Sequence, residues 1–143
     1  MEEILHETLK LYGLKEIPGE KNNPQIMDMF KEIGFSWVQD DETAWCSALI
    51  NYVCKKAGYE RSGKLDARSW LKMPIIVLKP SLGDIVIFWR EHPDSWKGHV
   101  GLFISQDTDY VYTLGGNQGN MVNITPYPRN RVLGYRQVYK ITT

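Results

Sequence analysis

The chain has two cysteines, no excess of charge of either sign and no long apolar run. Cys46 and Cys54 are eight residues apart in one predicted helix, roughly 12 Å along its axis. That is farther than a disulfide tolerates, so both read as free thiols and nothing points to an oxidising compartment. Two cysteines at this spacing also fit no zinc site, and no metal or other cofactor is expected. Seventeen basic residues balance seventeen acidic ones, which leaves no electrostatic footprint for nucleic acid or an anionic membrane surface. No segment approaches the run of about eighteen apolar residues that spans a bilayer. The opening Met1-Glu2-Glu3-Ile4-Leu5-His6 is acidic and lacks the apolar stretch of a secretory signal. The expectation is synthesis in the cytoplasm, with any export by another route.

What is present suffices for a core. With 143 residues and 43% hydrophobic content, the length prior gives one domain over 1–143. Five tryptophans and eight tyrosines fit an ordinary core with some surface rings, and are compatible with a cleft that grips sugars or peptides. The apolar period is helical in the first half. It predicts a helix over 2–12, with Ile4, Leu5, Leu9 and Tyr12 near one face and Gly13 as its stop, followed by a turn at Ile17-Pro18-Gly19-Glu20. A second helix is opened by Asn23-Pro24 and closed by Gly34. Thr43 reads as the cap of a third, which ends at Gly58, and Asp66 as the cap of a short fourth around Trp70 and Leu71. After Pro80 the period becomes alternating. Strands are expected over 83–89, 99–105, 110–114, 121–125 and 132–141, joined by connections short enough for antiparallel pairing. The fold class is therefore α+β, with N-terminal helices packed on a twisted antiparallel sheet of about five strands.

Cys46 stands out because the third helix begins around it. Orphan N–H groups and the helix dipole favour a thiolate there, so the expectation is a lowered pKa and a stronger nucleophile. Cysteine attack on an acyl carbon also needs an imidazole to carry the proton and a polar group to orient it. His99 heads the apolar strand Gly98-His99-Val100-Gly101. Asn117 follows the next strand in Leu114-Gly115-Gly116-Asn117-Gln118. Each has an ordinary explanation: a small buried hydrophobe, a structural histidine, a turn asparagine. Cys54, His6 and His92 fit those explanations well. The order of Cys46, His99 and Asn117, on a helix start and successive strand ends, is what singles them out.

Trp45-Cys46-Ser47-Ala48, Gly83-Asp84-Ile85-Val86-Ile87-Phe88, Gly98-His99-Val100-Gly101 and Gly115-Gly116-Asn117-Gln118 together resemble the signature blocks of CHAP and NlpC-type papain-like peptidoglycan hydrolases. The closest likeness is to a small single-domain bacterial and phage group, which also has a segment resembling Glu16-Ile17-Pro18-Gly19 and Asn23-Pro24-Gln25-Ile26. The likeness runs from about residue 5 to residue 137. It implies a papain-like fold, with Cys46 as nucleophile, His99 as general base and acid, and Asn117 as the orienting residue. Many CHAP enzymes place a glutamate in that third role; here the position two residues before Asn117 is Gly115. The implied reaction cuts an amide bond in the peptide part of peptidoglycan, as an N-acetylmuramoyl-L-alanine amidase or an endopeptidase, through a thioester. Trp96 is a candidate substrate contact. Some CHAP enzymes bind calcium through acidic loops near the cysteine, but Asp40, Asp41 and Glu42 are explained equally well as an acidic helix start.

The implied partner is peptidoglycan, with room for an inhibitor or immunity protein. The implied place of action is the bacterial wall or periplasm, after release as a phage lysin or delivery as an antibacterial effector. Two other readings stay open: a catalytically inactive module of the same fold that binds peptidoglycan or protein, and a cytoplasmic cysteine peptidase or acyltransferase.

Overall fold

The computed structural model describes residues 1–17, 22–38 and 45–141. Three α-helices come first: α1 (Glu2–Leu9), α2 (Pro24–Glu32) and α3 (Cys46–Ala57). A 3-10 helix (Ala67–Lys72) leads into six strands: β1 (Ile75–Val77), β2 (Ile85–Trp89), β3 (Gly98–Gln106), β4 (Tyr110–Gly115), β5 (Asn123–Pro128) and β6 (Val132–Gln137). They form one antiparallel sheet in the order β1-β6-β2-β3-β4-β5. Among the described residues no helix is long and apolar enough to cross a membrane.

Local chemistry sets most helix ends. At α2 the Asn23 side chain accepts a hydrogen bond from the Gln25 N–H and Pro24 takes the first helical position. Gly58 ends α3 in the left-handed region, at φ 80°. Helix α1 stops at Leu9, short of residue 12: Leu9 and Tyr12 face solvent at 44% and 54% exposure, so the apolar stripe that suggested a longer helix has no core to meet there. Asp66 does precede the 3-10 helix, but its side chain makes no capping bond. The proposed cap Thr43, the turn residues Pro18, Gly19 and Glu20, and the cluster Asp40, Asp41 and Glu42 lie outside the described residues.

Alternation decides which face each strand buries. Ile85, Ile87, Val100, Leu102 and Leu114 pack with α1, α2 and α3 in the main core. Their neighbours Val86, Phe88, Phe103 and Val111 form a second cluster, covered by Tyr127, Val132 and Tyr135. The sheet is thus apolar on both faces near its centre. β1 is the strand the alternation pattern misses: three residues on the sheet edge are too short to show a period.

Helix α3 is held to the chain that follows it by a buried polar network. Trp70 Nε1 donates to Ser47 Oγ at 2.9 Å, Ser47 Oγ donates to Lys64 O at 2.7 Å, and Asn51 Nδ2 donates to Ser47 O and Lys64 O, each at 3.0 Å. Because these groups are satisfied mutually, the network fixes the helix without leaving an orphaned donor among those named.

Candidate active site

Cys46 is the first residue of α3, with Trp45 at the cap position. Trp45 offers no side-chain capping bond, so the first N–H groups of the helix are not claimed by a cap. The indole is fully buried and donates from Nε1 to Glu16 Oε1 at 2.6 Å. Its ring lies so close to the turn after β4 that a Cβ on Gly116 would sit 2.5 Å from Trp45 Cζ3. The helix start is therefore wedged between the N-terminal segment and the end of β4.

β3 pairs with β4 only from Leu102 onward, whereas β2 pairs with β3 down to Gly98. The first turn of α3 approaches the stretch of β3 left over. The Val100 N–H points to the Cys46 sulfur, as do the N–H groups of Ser47 and Cys46 itself. Val100 packs into the main core, and His99, one residue earlier, turns to the other side. There the His99 ring stacks on Tyr127 at 4.8 Å between centroids, and Tyr127 stacks on Phe88 at 4.8 Å.

The group that holds the imidazole is Gln118. His99 Nε2 lies 2.9 Å from Gln118 Oε1. Gln118 Nε2 donates to Thr113 O, Asn123 O and Asn123 Oδ1, so the amide orientation is fixed and its oxygen faces the ring. An acceptor at that position means that His99 Nε2 carries the proton and Nδ1 holds the lone pair. Asn117 is not the bonding partner. It adopts φ 59°, in the left-handed region, half-buried at the rim of the cleft, and serves as the turn that swings Gln118 inward.

Burial dominates the electrostatics. Cys46 is 5% exposed and His99 4% exposed. Desolvation pushes the Cys46 thiol up from its ordinary value; the three N–H groups and the nearby Arg90 charge offset only part of this. The expected lowering of the Cys46 pKa does not occur, because loss of water outweighs the field of the helix start. Desolvation likewise lowers His99 to about 4, with Gln118 working against the shift and Arg90 adding to it. Both groups are neutral near pH 7. Among the described residues no hydrogen bond joins Cys46 to His99. The thiol is therefore protonated at rest, and the imidazole, with Nδ1 unprotonated, is able to accept a proton.

Two adjoining clefts open here. One, of about 420 Å³, is lined by His99, Gln118, Asn117, Tyr127, Arg90 and Arg131 among others. The other, of about 240 Å³, is lined by Cys46, Trp96, Lys97, Glu91, Asp66 and Arg90 among others. Trp96 is 73% exposed, with the Lys97 ammonium 5.9 Å from its ring centroid. Cys54 is buried in the middle of α3 and its thiol is pushed up to about 12 by burial, an inert environment. His6 and His92 face solvent away from both clefts. No group of three or more His, Cys, Asp or Glu fit to hold a metal occurs among the described residues.

Sequence reasoning overlooked Gln118, Tyr127 and Arg90. For Gln118 a signal was present: asparagine is a favoured left-handed turn residue, which makes Asn117 the turn and its neighbour the inward side chain. No sequence signal marked Tyr127 or Arg90.

No sequence-family model matches the chain, and no curated protein does. Solved structures do. One is a protein described as similar to a lipoprotein of the NLP/P60 family, from Staphylococcus aureus subsp. aureus Mu50. It matches with TM-score 0.56 and 20% identity over 96% of this chain and 40% of its own. Another is the P60 domain of an antigen from M. avium paratuberculosis, with TM-score 0.50 and 15% identity over 99% of this chain and 92% of its own. The chain thus spans less than half the length of the first of these proteins. The shared architecture is a papain-like α+β fold of the NlpC/P60 type.

Proposed function

We propose that the chain is a cysteine-dependent hydrolase that cuts an amide bond in the peptide part of peptidoglycan, with Cys46 as nucleophile, His99 as base and acid, and Gln118 as the group that orients His99. The observation that carries this reading is His99, buried and held in one tautomer by Gln118, one residue from the N–H that faces the Cys46 sulfur. The NlpC/P60-type fold supports the substrate class.

In this mechanism His99 Nδ1 takes the thiol proton as Cys46 sulfur attacks the carbonyl carbon. The N–H groups at the start of α3, which lie at the sulfur at rest, are the donors available to the oxygen that gains charge. Collapse of the tetrahedral adduct expels the amine, which leaves with the proton from His99, and a thioester remains. His99 then takes a proton from water, which attacks the thioester and releases the acid and the free thiol.

The test is digestion of purified peptidoglycan by the wild type and by Cys46→Ala, with products read by mass spectrometry. Fragments from the wild type alone support the reading, and the mass gained at each cut separates amidase from endopeptidase. Silence of both proteins on several wall types, with both binding the polymer, overturns it. One observation favours that second reading, a binding module: the thiol is buried and protonated at rest.

Delivery to the wall, as a lysin or an effector, completes the proposal. Expression in a bacterial host should be tolerated in the cytoplasm and should lyse cells when an export signal is added. Tolerance in both places refutes this part of the proposal.

A further inference from the structure

The two halves of the cleft differ in charge. Residues lining the His99 side include the guanidinium groups of Arg90 and Arg131 and no carboxylate, in a chain whose total charge is zero. On the Cys46 side Glu91 and Asp66 are present and Lys97 is paired with Glu91 at 2.9 Å. Arg131 is held with its guanidinium 4.8 Å from the Trp89 ring centroid, a stacking that leaves its N–H edge free to donate. Arg90 lines both halves, is exposed, and among the described residues forms no ion pair and no side-chain hydrogen bond. Two unneutralised arginines, one at the junction of the halves and one on the His99 side, present planar donors suited to a carboxylate.

Chemistry says which part of the substrate lies there. This step rests on the hydrolase reading above. The acyl portion bonds to Cys46, whereas the departing amine must take its proton from His99. The acyl portion therefore occupies the Trp96 side, and the departing portion lies over His99 toward Arg131. We infer that Arg90 and Arg131 form a carboxylate-binding subsite, so that the preferred substrate is a peptide whose departing portion bears a free carboxylate near the scissile bond.

Two probes test this with the full chain: a synthetic peptidoglycan stem tetrapeptide with free carboxylates, and the same peptide with every carboxylate converted to carboxamide. Binding is measured by calorimetry on the Cys46→Ala protein, where no turnover interferes. The free acid should bind about tenfold tighter than the amide, the size expected of one charge-assisted pair at a solvent-facing site. The preference should shrink as salt is raised. Adding Arg90→Gln should bring the free acid down to the level of the amide, and Arg90→Lys, which keeps the charge without the planar fork, should retain part of the preference. Arg131→Gln should also reduce it. Equal binding of the two peptides overturns the subsite, as does a loss in Arg90→Gln that is the same for both while its circular dichroism spectrum is unchanged. The two proposals fail separately. A chain that digests wall but shows no acid preference loses the subsite alone. A chain that cuts neither peptide nor wall, yet binds the free acid through Arg90, loses the hydrolase alone.

Discussion

At the scale of single residues the site turns on two neighbours in one loop. Gln118 faces inward at 2% exposure and spends its amide N–H groups on Thr113 and Asn123 so that its oxygen can face His99. Gln118→Leu should therefore leave His99 free to turn and to change tautomer, and reduce the rate of wall digestion by about a hundredfold or more. Asn117→Gly keeps a backbone suited to φ 59° and should change the rate by no more than about threefold. If the two effects are reversed, Asn117 is the orienting residue after all. The sequence made legible that Cys46 stands at a helix start and His99 near a strand start, because helix-start and strand-start signals are local. It could not decide between adjacent loop residues, since neither hydrophobic period applies within a tight turn. Nor could it weigh burial against the helix field, because desolvation depends on distant parts of the chain such as β3 packing over Cys46.

At the scale of elements, α3 is positioned by the fit of Trp45 between Glu16 and Gly116. Gly116→Ala would place a methyl group 2.5 Å from the indole ring. Relief requires the ring, and with it the first turn of α3, to move. The expected cost is about 1–3 kcal/mol in urea denaturation, together with a loss of activity larger than the population of unfolded chain explains. A variant of wild-type stability and activity would mean that the helix start is not held by this contact. The helices with strong end chemistry, α2 with Asn23-Pro24 and α3 with Gly58, were legible from those residues alone. α1 was read too long because its apolar stripe continues past the point where the core ends. β1 was missed because an edge strand of three residues owes its pairing to β6, about sixty residues later, and not to its own pattern.

At the scale of the whole molecule, the α+β class followed from the change of period after Pro80, whereas the strand order did not. Placing β6 between β1 and β2 depends on long-range pairing that no local signal encodes. That order puts β2 and β3 in the middle of the sheet, and it buries a titratable group, His99, between the core and the Tyr127 ring. The consequence is a distinctive acid response. In the unfolded chain the imidazole titrates near 6.5, and in the folded chain near 4. Between those values the unfolded state binds more protons, so stability must fall as pH falls. The contribution is complete above pH 6.5, is lost progressively down to pH 4, and amounts to on the order of 3 kcal/mol. The exposed Glu3, bonded to Tyr59 and Lys140 where α1 meets the C-terminal segment, is lowered to about 2. Its contribution is present above its ordinary value near 4.5 and fades as pH falls from there toward 2, so it overlaps the histidine window only between pH 4.5 and 4. Urea denaturation at pH 5, 6 and 7.5, above the Glu3 window, isolates the histidine. The wild type should lose stability steadily from pH 6.5 to 5, and His99→Gln, which cannot titrate there, should show a flat profile across that interval whatever its absolute stability. Parallel slopes in the two proteins would mean that His99 is open to water in the native state. The neutral thiol–imidazole resting pair derived above would then fall with it.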